Sequence, residues 1–164
     1  MDKMHVTIYS DGSARGNPDG PGVYGAVLQY TDGHGVLHEK ELSEGFNPTS
    51  NNRMELLGAI VALEALNRPC RVDLYSDSSY LINAFQKNWL SSWQKKGWKT
   101  ASNTRVKNQD LWKRLLAAAA PHEITWHWVK GHAGHEMNER CDALATAAAD
   151  AMYQIKKPNV ESAP

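Results

Sequence analysis

Two aspartates occupy nearly identical settings, Asp11 in YSDGS at residues 9–13 and Asp77 in YSDSS at 75–79. Taken singly, an Asp after a strand-like run shapes a turn or caps the residues that follow. Taken as neighbours, two carboxylates repel and must be neutralised by a shared proton or a cation. Glu55 in RMELLGAIVALEALN and Asp142 in HEMNERCDALATAAADAMYQ each fall in the first turn of a run with helical character. Four carboxylates at one edge, with no equally placed Lys or Arg between them, form an all-oxygen donor set that suits Mg²⁺ or Mn²⁺. Two such ions about 3.5–4 Å apart serve phosphoryl transfer, one activating the attacking water and the other stabilising the leaving oxygen. A zinc reading on His132, His135 and Cys141 lacks a fourth ligand at finger-like spacing.

The elements that must position these residues follow from periodicity. Residues 4–10 alternate in polarity and stop at Asp11-Gly12, which predicts a strand ending in a turn. ARGNPDGPG (14–22) is turn chemistry, and 23–30 and 36–43, joined through TDGHG, predict an antiparallel hairpin. NPTSNN supplies cap-type residues before a helix over 53–67 with apolar positions at 54, 57, 61 and 65. A strand over 71–76 ends at Asp77, and 78–86 begins with cap residues and continues as a helix. The pattern breaks over 88–107. It resumes as a helix over 109–120, a strand over 123–129 and a long helix over 135–154, before a polar, Pro-containing tail from Lys156 that is expected to be disordered.

Three strands followed by strands alternating with helices predict an α/β fold, a mixed sheet with helices packed on it. The two Y-S-D strands, separated by a helix, are expected to lie parallel. Parallel strands end at one edge of the sheet, where ligands gather in open α/β folds, so Asp11 and Asp77 should be neighbours.

The chain has 164 residues, 41% of them apolar, which fits one domain burying about 70% of its unfolded surface. Eighteen basic and 18 acidic residues cancel, so attraction to a polyanion must come from local clustering. The segment 87–107, KNWLSSWQKKGWKTASNTRVK, supplies it, with six Lys or Arg, no acid, and Trp89, Trp93 and Trp98 interleaved. Cations that meet phosphates and rings that pack on sugars or bases are the footprint of a nucleic-acid surface. The plainer alternative is a solvated loop with tryptophans packed beneath it. Uncharged amides in GNPDG and TSNN suit sugar hydroxyls, including the RNA 2′-hydroxyl, which donates and accepts. No secretory pattern is present and no run approaches the roughly 18 apolar residues that cross a bilayer, so a cytoplasmic protein without membrane contact is expected. Cys70 and Cys141 read as two reduced thiols.

YSDGSARGNPDGPGVYGAVL, TSNNRMELLGAIVALEAL, YSDSSY, WQKKGWKT, VKNQDLW and WVKGHAGHEMNERCDALA together resemble type 1 ribonuclease H of the bacterial kind, over nearly the whole chain. The resemblance implies a five-stranded mixed sheet, an antiparallel meander plus parallel strands, flanked by helices and bearing a basic protrusion at about 87–107. It implies one domain over 1–155 and a tail over 156–164. It implies endonucleolytic hydrolysis of the RNA strand of an RNA–DNA hybrid with Mg²⁺, leaving 5′-phosphate and 3′-hydroxyl ends. By position, the metal-binding carboxylates are Asp11, Glu55, Asp77 and Asp142, and the catalytic histidine is His132, while His135 has no such support. Asn17 and Asn51 match positions that contact RNA, and Asn52 one that faces DNA. Trp89 matches the ring along which DNA runs, Lys95, Lys96 and Lys99 belong to the protrusion, and Ser50 and Asn108 to a DNA-phosphate pocket.

Three positions depart from the family. Ser79 replaces a frequent Gln and shortens a minor-groove contact. Pro48 stands where some relatives are basic, leaving phosphate binding weaker or supplied by another group. Ala14 replaces a frequent Cys. The alternatives are another nuclease of the same fold, such as a junction resolvase or a reverse-transcriptase domain, and a hybrid-binding module without catalysis. The complete carboxylate set with His132 argues against the binder. A monomer is expected, and the tail is a candidate contact for a single-strand DNA-binding protein.

Overall fold

The computed structural model describes residues 3–14, 20–130 and 147. Asn17, His132, His135, Cys141, Asp142, the expected helix over 135–154 apart from Ala147, and the tail from Lys156 lie outside the described residues.

Alternating Val6 and Ile8 place β1 (Met4–Ala14) with one face in the core. It pairs antiparallel with β2 (Gly20–Thr31), which pairs antiparallel with β3 (Leu37–Thr49). On its other side β1 runs parallel to β4 (Cys70–Ser76), and β4 runs parallel to β5 (Glu123–Trp128). The resulting order is β3-β2-β1-β4-β5, the mixed five-stranded sheet that the element pattern implies.

The expected strand over 4–10 does not stop in a turn at Asp11. It runs on to Ala14, because β2 is long enough to keep pairing, Asp11 opposite Gly25 and Ala14 opposite Gly22. Asp11 therefore marks where the parallel pairing with β4 ends, not where β1 ends. In the same way β3 extends to Thr49 on the far side of β2, taking in residues expected to be helix-capping.

Helix α1 (Asn51–Glu64) starts earlier than its apolar pattern suggests, because the Ser50 hydroxyl accepts the Arg53 N–H at 3.2 Å and caps it there. Glu55 consequently sits in the second turn, not the first. The expected apolar stripe also understates this helix. Leu56, Ala59, Ile60, Ala62 and Leu63 are buried along with Met54 and Leu57, since α1 packs on β1 and β2 and against α4 (Gln109–Ala119). A helix apolar nearly all round is one buried nearly all round. Each such Leu or Ile is worth about 1.5–3 kcal/mol relative to exposure.

Trp112 of α4 is fully buried and meets Tyr80 edge-on, with ring centroids 5.2 Å apart, and Trp93 at 5.5 Å. Tyr80 belongs to α2 (Ser79–Gln86) and Trp93 to α3 (Trp89–Lys95), a short helix inside the segment where periodicity breaks.

Candidate active site

The repeated Y-S-D text is a register. Tyr9 lies opposite Tyr75 and Ser10 opposite Ser76 in the parallel ladder, and the two tyrosine rings stack with centroids 5.1 Å apart. Asp11 and Asp77 each come one residue later, on strands about 4.8 Å apart. Side chains alternate along a strand, so Asp11 leaves β1 on the side opposite to the buried Ser10, while Asp77 follows directly after the end of β4 beside it.

Beyond that point the chains part. Asp11 is only 7% exposed, and its Oδ1 accepts the Gly12 N–H at 2.9 Å. β4 ends at Ser76, whose hydroxyl oxygen accepts the Ser78 N–H at 3.1 Å, and Ser78 caps α2 by accepting the Leu81 N–H at 3.1 Å. Asp77 thus occupies a pinned link between strand and helix, and the Trp128 indole N–H donates to its carbonyl at 3.2 Å.

Gly12 brings Glu55 to this edge. A Cβ on Gly12 would fall 2.5 Å from the Glu55 amide nitrogen and 2.6 Å from the Met54 carbonyl oxygen, so only hydrogen lets β1 lie this close to α1. Across the gap the Ser78 hydroxyl donates to Glu55 Oε2. Burial holds the Glu55 carboxyl above its ordinary 4.5, the Ser78 bond pulls it down, and the charge on Asp77 pushes it up again. Among the described residues no cationic side chain acts on it, and neither Glu55 nor Asp77 is in an ion pair. A half-buried carboxylate beside another, with no cation among the described residues to meet it, suits a hard divalent ion with oxygen ligands. Among the described residues no three His, Cys, Asp or Glu already form a metal-holding group. Glu55 is turned to Ser78, and Asp142 lies outside the described residues.

The flanking residues divide by role. Asn51, at the first position of α1, accepts the Ala14 N–H through its carboxamide oxygen and ties the end of β1 to the helix. Asn52 and Ser79 are exposed, each in the first turn of its helix. Ser50 and Asn108 both bond Arg53, Ser50 accepting from its backbone N–H and Asn108 Oδ1 from its Nη1, each at 3.2 Å. In the basic segment Lys95, Lys96 and Lys99 are all exposed, and Trp89 is 36% exposed with the Lys87 ammonium 6.0 Å from its ring centre. Trp93 and Trp98 instead pack against the core. Trp89 therefore faces outward while Trp93 and Trp98 pack inward, as the plainer alternative has it for those two.

Sequence reasoning overlooked Gly12, Ser78 and Arg53. The signal for Ser78 was its place after Asp77 as a helix cap. For Gly12 and Arg53 the deciding contacts are with other elements.

A family model for RNase H matches residues 3–150. The chain belongs to the ribonuclease H family. This member is 63% identical over 147 residues to the Ribonuclease H of Lachnoclostridium phytofermentans, which covers 90% of this chain and 93% of the relative. It is 57% identical over 146 residues to the Ribonuclease HI of Shewanella oneidensis, covering 89% and 88%. Among solved structures, LC9-RNase H1, a type 1 RNase H with the type 2 active-site motif, matches with a TM-score of 0.82 at 31% identity, over 92% of this chain and 74% of that one. A foamy viral protease-reverse transcriptase in complex with an RNA/DNA hybrid matches at TM-score 0.70 and 20% identity, over 89% of this chain and 20% of that one, a likeness of fold alone. The chain is thus of the bacterial type 1 kind, in a family of enzymes that cleave RNA in RNA–DNA hybrids with a divalent metal. Among the described residues no helix is long and apolar enough to cross a membrane.

Proposed function

We propose that this ribonuclease H hydrolyses the RNA strand of RNA–DNA hybrids at the edge where Asp11, Glu55 and Asp77 meet, with Asp142 as the fourth carboxylate, leaving 5′-phosphate and 3′-hydroxyl ends. The observation that supports the site is the in-register pairing of Tyr9-Ser10 with Tyr75-Ser76, since Asp11 and Asp77 each follow that pair at the same end of two adjacent strands. The four carboxylates would hold two Mg²⁺ ions, with Mn²⁺ as a substitute. When bound, these cations activate the attacking water and stabilise the leaving oxygen.

The chain's own residues do the remaining work. Ser78 orients Glu55, and Gly12 sets the distance between Asp11 and the helix. His132, on a Gly-flanked stretch, exchanges protons near neutral pH. Asn17 and Asn51 read the RNA side of the minor groove, Asn52 and Ser79 lie beside it, and Trp89 with Lys95, Lys96 and Lys99 holds the DNA strand. Ser50 and Asn108 take one DNA phosphate. Residues 1–155 act as one monomeric domain, and the tail from Lys156 is a contact for a single-strand DNA-binding protein.

Asp11→Asn tests the assignment. It should bind a hybrid in Mg²⁺ with nearly the wild-type Kd while cleaving at least about 10³-fold more slowly, the scale of losing a transition-state charge contact. Wild-type protein that binds the hybrid and leaves it intact would establish a pure binding module instead.

A further inference from the structure

One arginine connects the two residues assigned to the DNA phosphate. The backbone N–H of Arg53 donates to the Ser50 hydroxyl oxygen at 3.2 Å, leaving the Ser50 proton to be donated elsewhere. The Arg53 guanidinium donates to Asn108 Oδ1 at 3.2 Å and grips Asp110 with both arms, at 3.0 and 2.7 Å. Asn108 heads α4 in the left-handed region, φ 60°, and its side chain makes no cap bond to that helix. Its Nδ2 donates to the Tyr80 hydroxyl at 3.2 Å, which also accepts the Trp112 indole N–H at 3.1 Å. Trp112 is fully buried, so Tyr80 is a fixed post.

The orientation of a carboxamide decides whether it attracts or repels an anion. With Oδ1 held by a guanidinium, the amino end of Asn108 spends one hydrogen on Tyr80 and keeps a second donor for a phosphate oxygen. Turned over, the same group would offer the anion a lone pair. An open cavity of about 630 Å³ lies beside it, lined by Asn108 together with Arg105, Lys107 and Lys113, three cations against the one carboxylate, Asp110, that Arg53 already engages. Pro48, two residues before Ser50, carries no charge, so orientation of neutral donors matters more here.

We propose that Arg53 is a positioning residue for phosphate binding: its backbone N–H and its guanidinium fix Ser50 and Asn108 as a pair of donors to one phosphate, and Asp110 locks the guanidinium in place. This rests on the assignment of Ser50 and Asn108 to a DNA phosphate. A Lys at 53 keeps the charge but not the planar fork that engages Asn108 and Asp110 together.

The test is steady-state cleavage of an RNA–DNA hybrid by wild type, Arg53→Ala, Arg53→Lys, Asn108→Ala and the Arg53→Ala/Asn108→Ala double variant, each checked for folding by its melting curve. Arg53→Ala and Asn108→Ala should each raise KM roughly ten- to a hundredfold, the scale of a hydrogen bond to a charged group, with kcat within about twofold. The double variant should be no worse than the worse single, because the two residues act as one unit. Arg53→Lys should keep most of the KM defect, and it carries the test if Arg53→Ala fails to fold. Additive defects, or full rescue by Lys, overturn the positioning role while leaving the phosphate assignment intact. An unchanged KM in Asn108→Ala overturns the phosphate assignment itself, and the proposal with it.

Discussion

At the scale of single residues, the setting of Glu55 opposes stability at neutral pH. Its carboxyl is held above 4.5, first by burial and then by the Asp77 charge, against the Ser78 hydrogen bond. The folded state therefore favours protonated Glu55. That preference contributes stability fully below the unfolded value, about 4.5, and is lost as pH rises through the higher folded one. Gln imitates the protonated form. Glu55→Gln should melt a few degrees above wild type at pH 7, the difference should close in acid, and cleavage should fall steeply. Thermal melts at pH 7 and pH 3.5 check this, and a lower melting temperature at pH 7 would contradict it. The pairing of Tyr9-Ser10 with Tyr75-Ser76 is legible in the sequence because the same words precede Asp11 and Asp77. The Ser78–Glu55 bond is not, since its partners lie 23 residues apart on different helices and no spacing rule links them.

Among elements, the three parallel strands carry a second set of cross-strand contacts, on the face opposite α1. Tyr75 stacks on Tyr9 at 5.1 Å and on His127 at 4.4 Å, so one aromatic row crosses β1, β4 and β5. Asp73 on β4 binds His127 Nε2 at 2.7 Å and His5 Nε2 at 2.6 Å, one from each neighbouring strand. The His127 bond first, then that to His5, lowers the Asp73 carboxyl below its ordinary 3.8. A depressed value contributes stability above about pH 3.8 that is lost as pH falls through the lower folded value. Asp73→Asn should therefore lower the urea midpoint at pH 6 and differ little from wild type near pH 2. Equal midpoints at pH 6 would remove the role given to this contact. Strand existence and direction are legible here, because alternation and the β-α-β order fix them. Strand ends are not. β1 outruns its expected length because β2 continues beside it, and α1 begins at Asn51 because the Ser50 hydroxyl caps it there.

For the whole molecule, zero net charge conceals a division of labour. In the proposed site carboxylates gather at the sheet edge, while segment 87–107 carries six cations and no acid. That segment is anchored from inside. Trp93 packs on buried Trp112, the Trp98 N–H donates to the Trp93 carbonyl at 2.7 Å, and the Lys113 ammonium lies 5.5 Å from the Trp98 ring centre. Lys95, Lys96 and Lys99 stay outside, on the exposed side of the segment. Replacing all three with Ala should raise KM and flatten its dependence on salt by roughly 0.7–0.9 in log–log slope for each phosphate no longer neutralised, with little change in kcat. A fall in kcat at constant KM would place these lysines in the chemistry. The basic stretch is plain in the sequence, but which of its tryptophans face inward depends on α4, which the stretch itself does not encode.

The most direct test of the central claim is cleavage of matched RNA–DNA, RNA–RNA and DNA–DNA duplexes by the purified protein in Mg²⁺. RNA should be cut in the hybrid alone, giving 5′-phosphate and 3′-hydroxyl ends, with no cleavage after chelation. An intact hybrid, or equal cutting of all three duplexes, would contradict it.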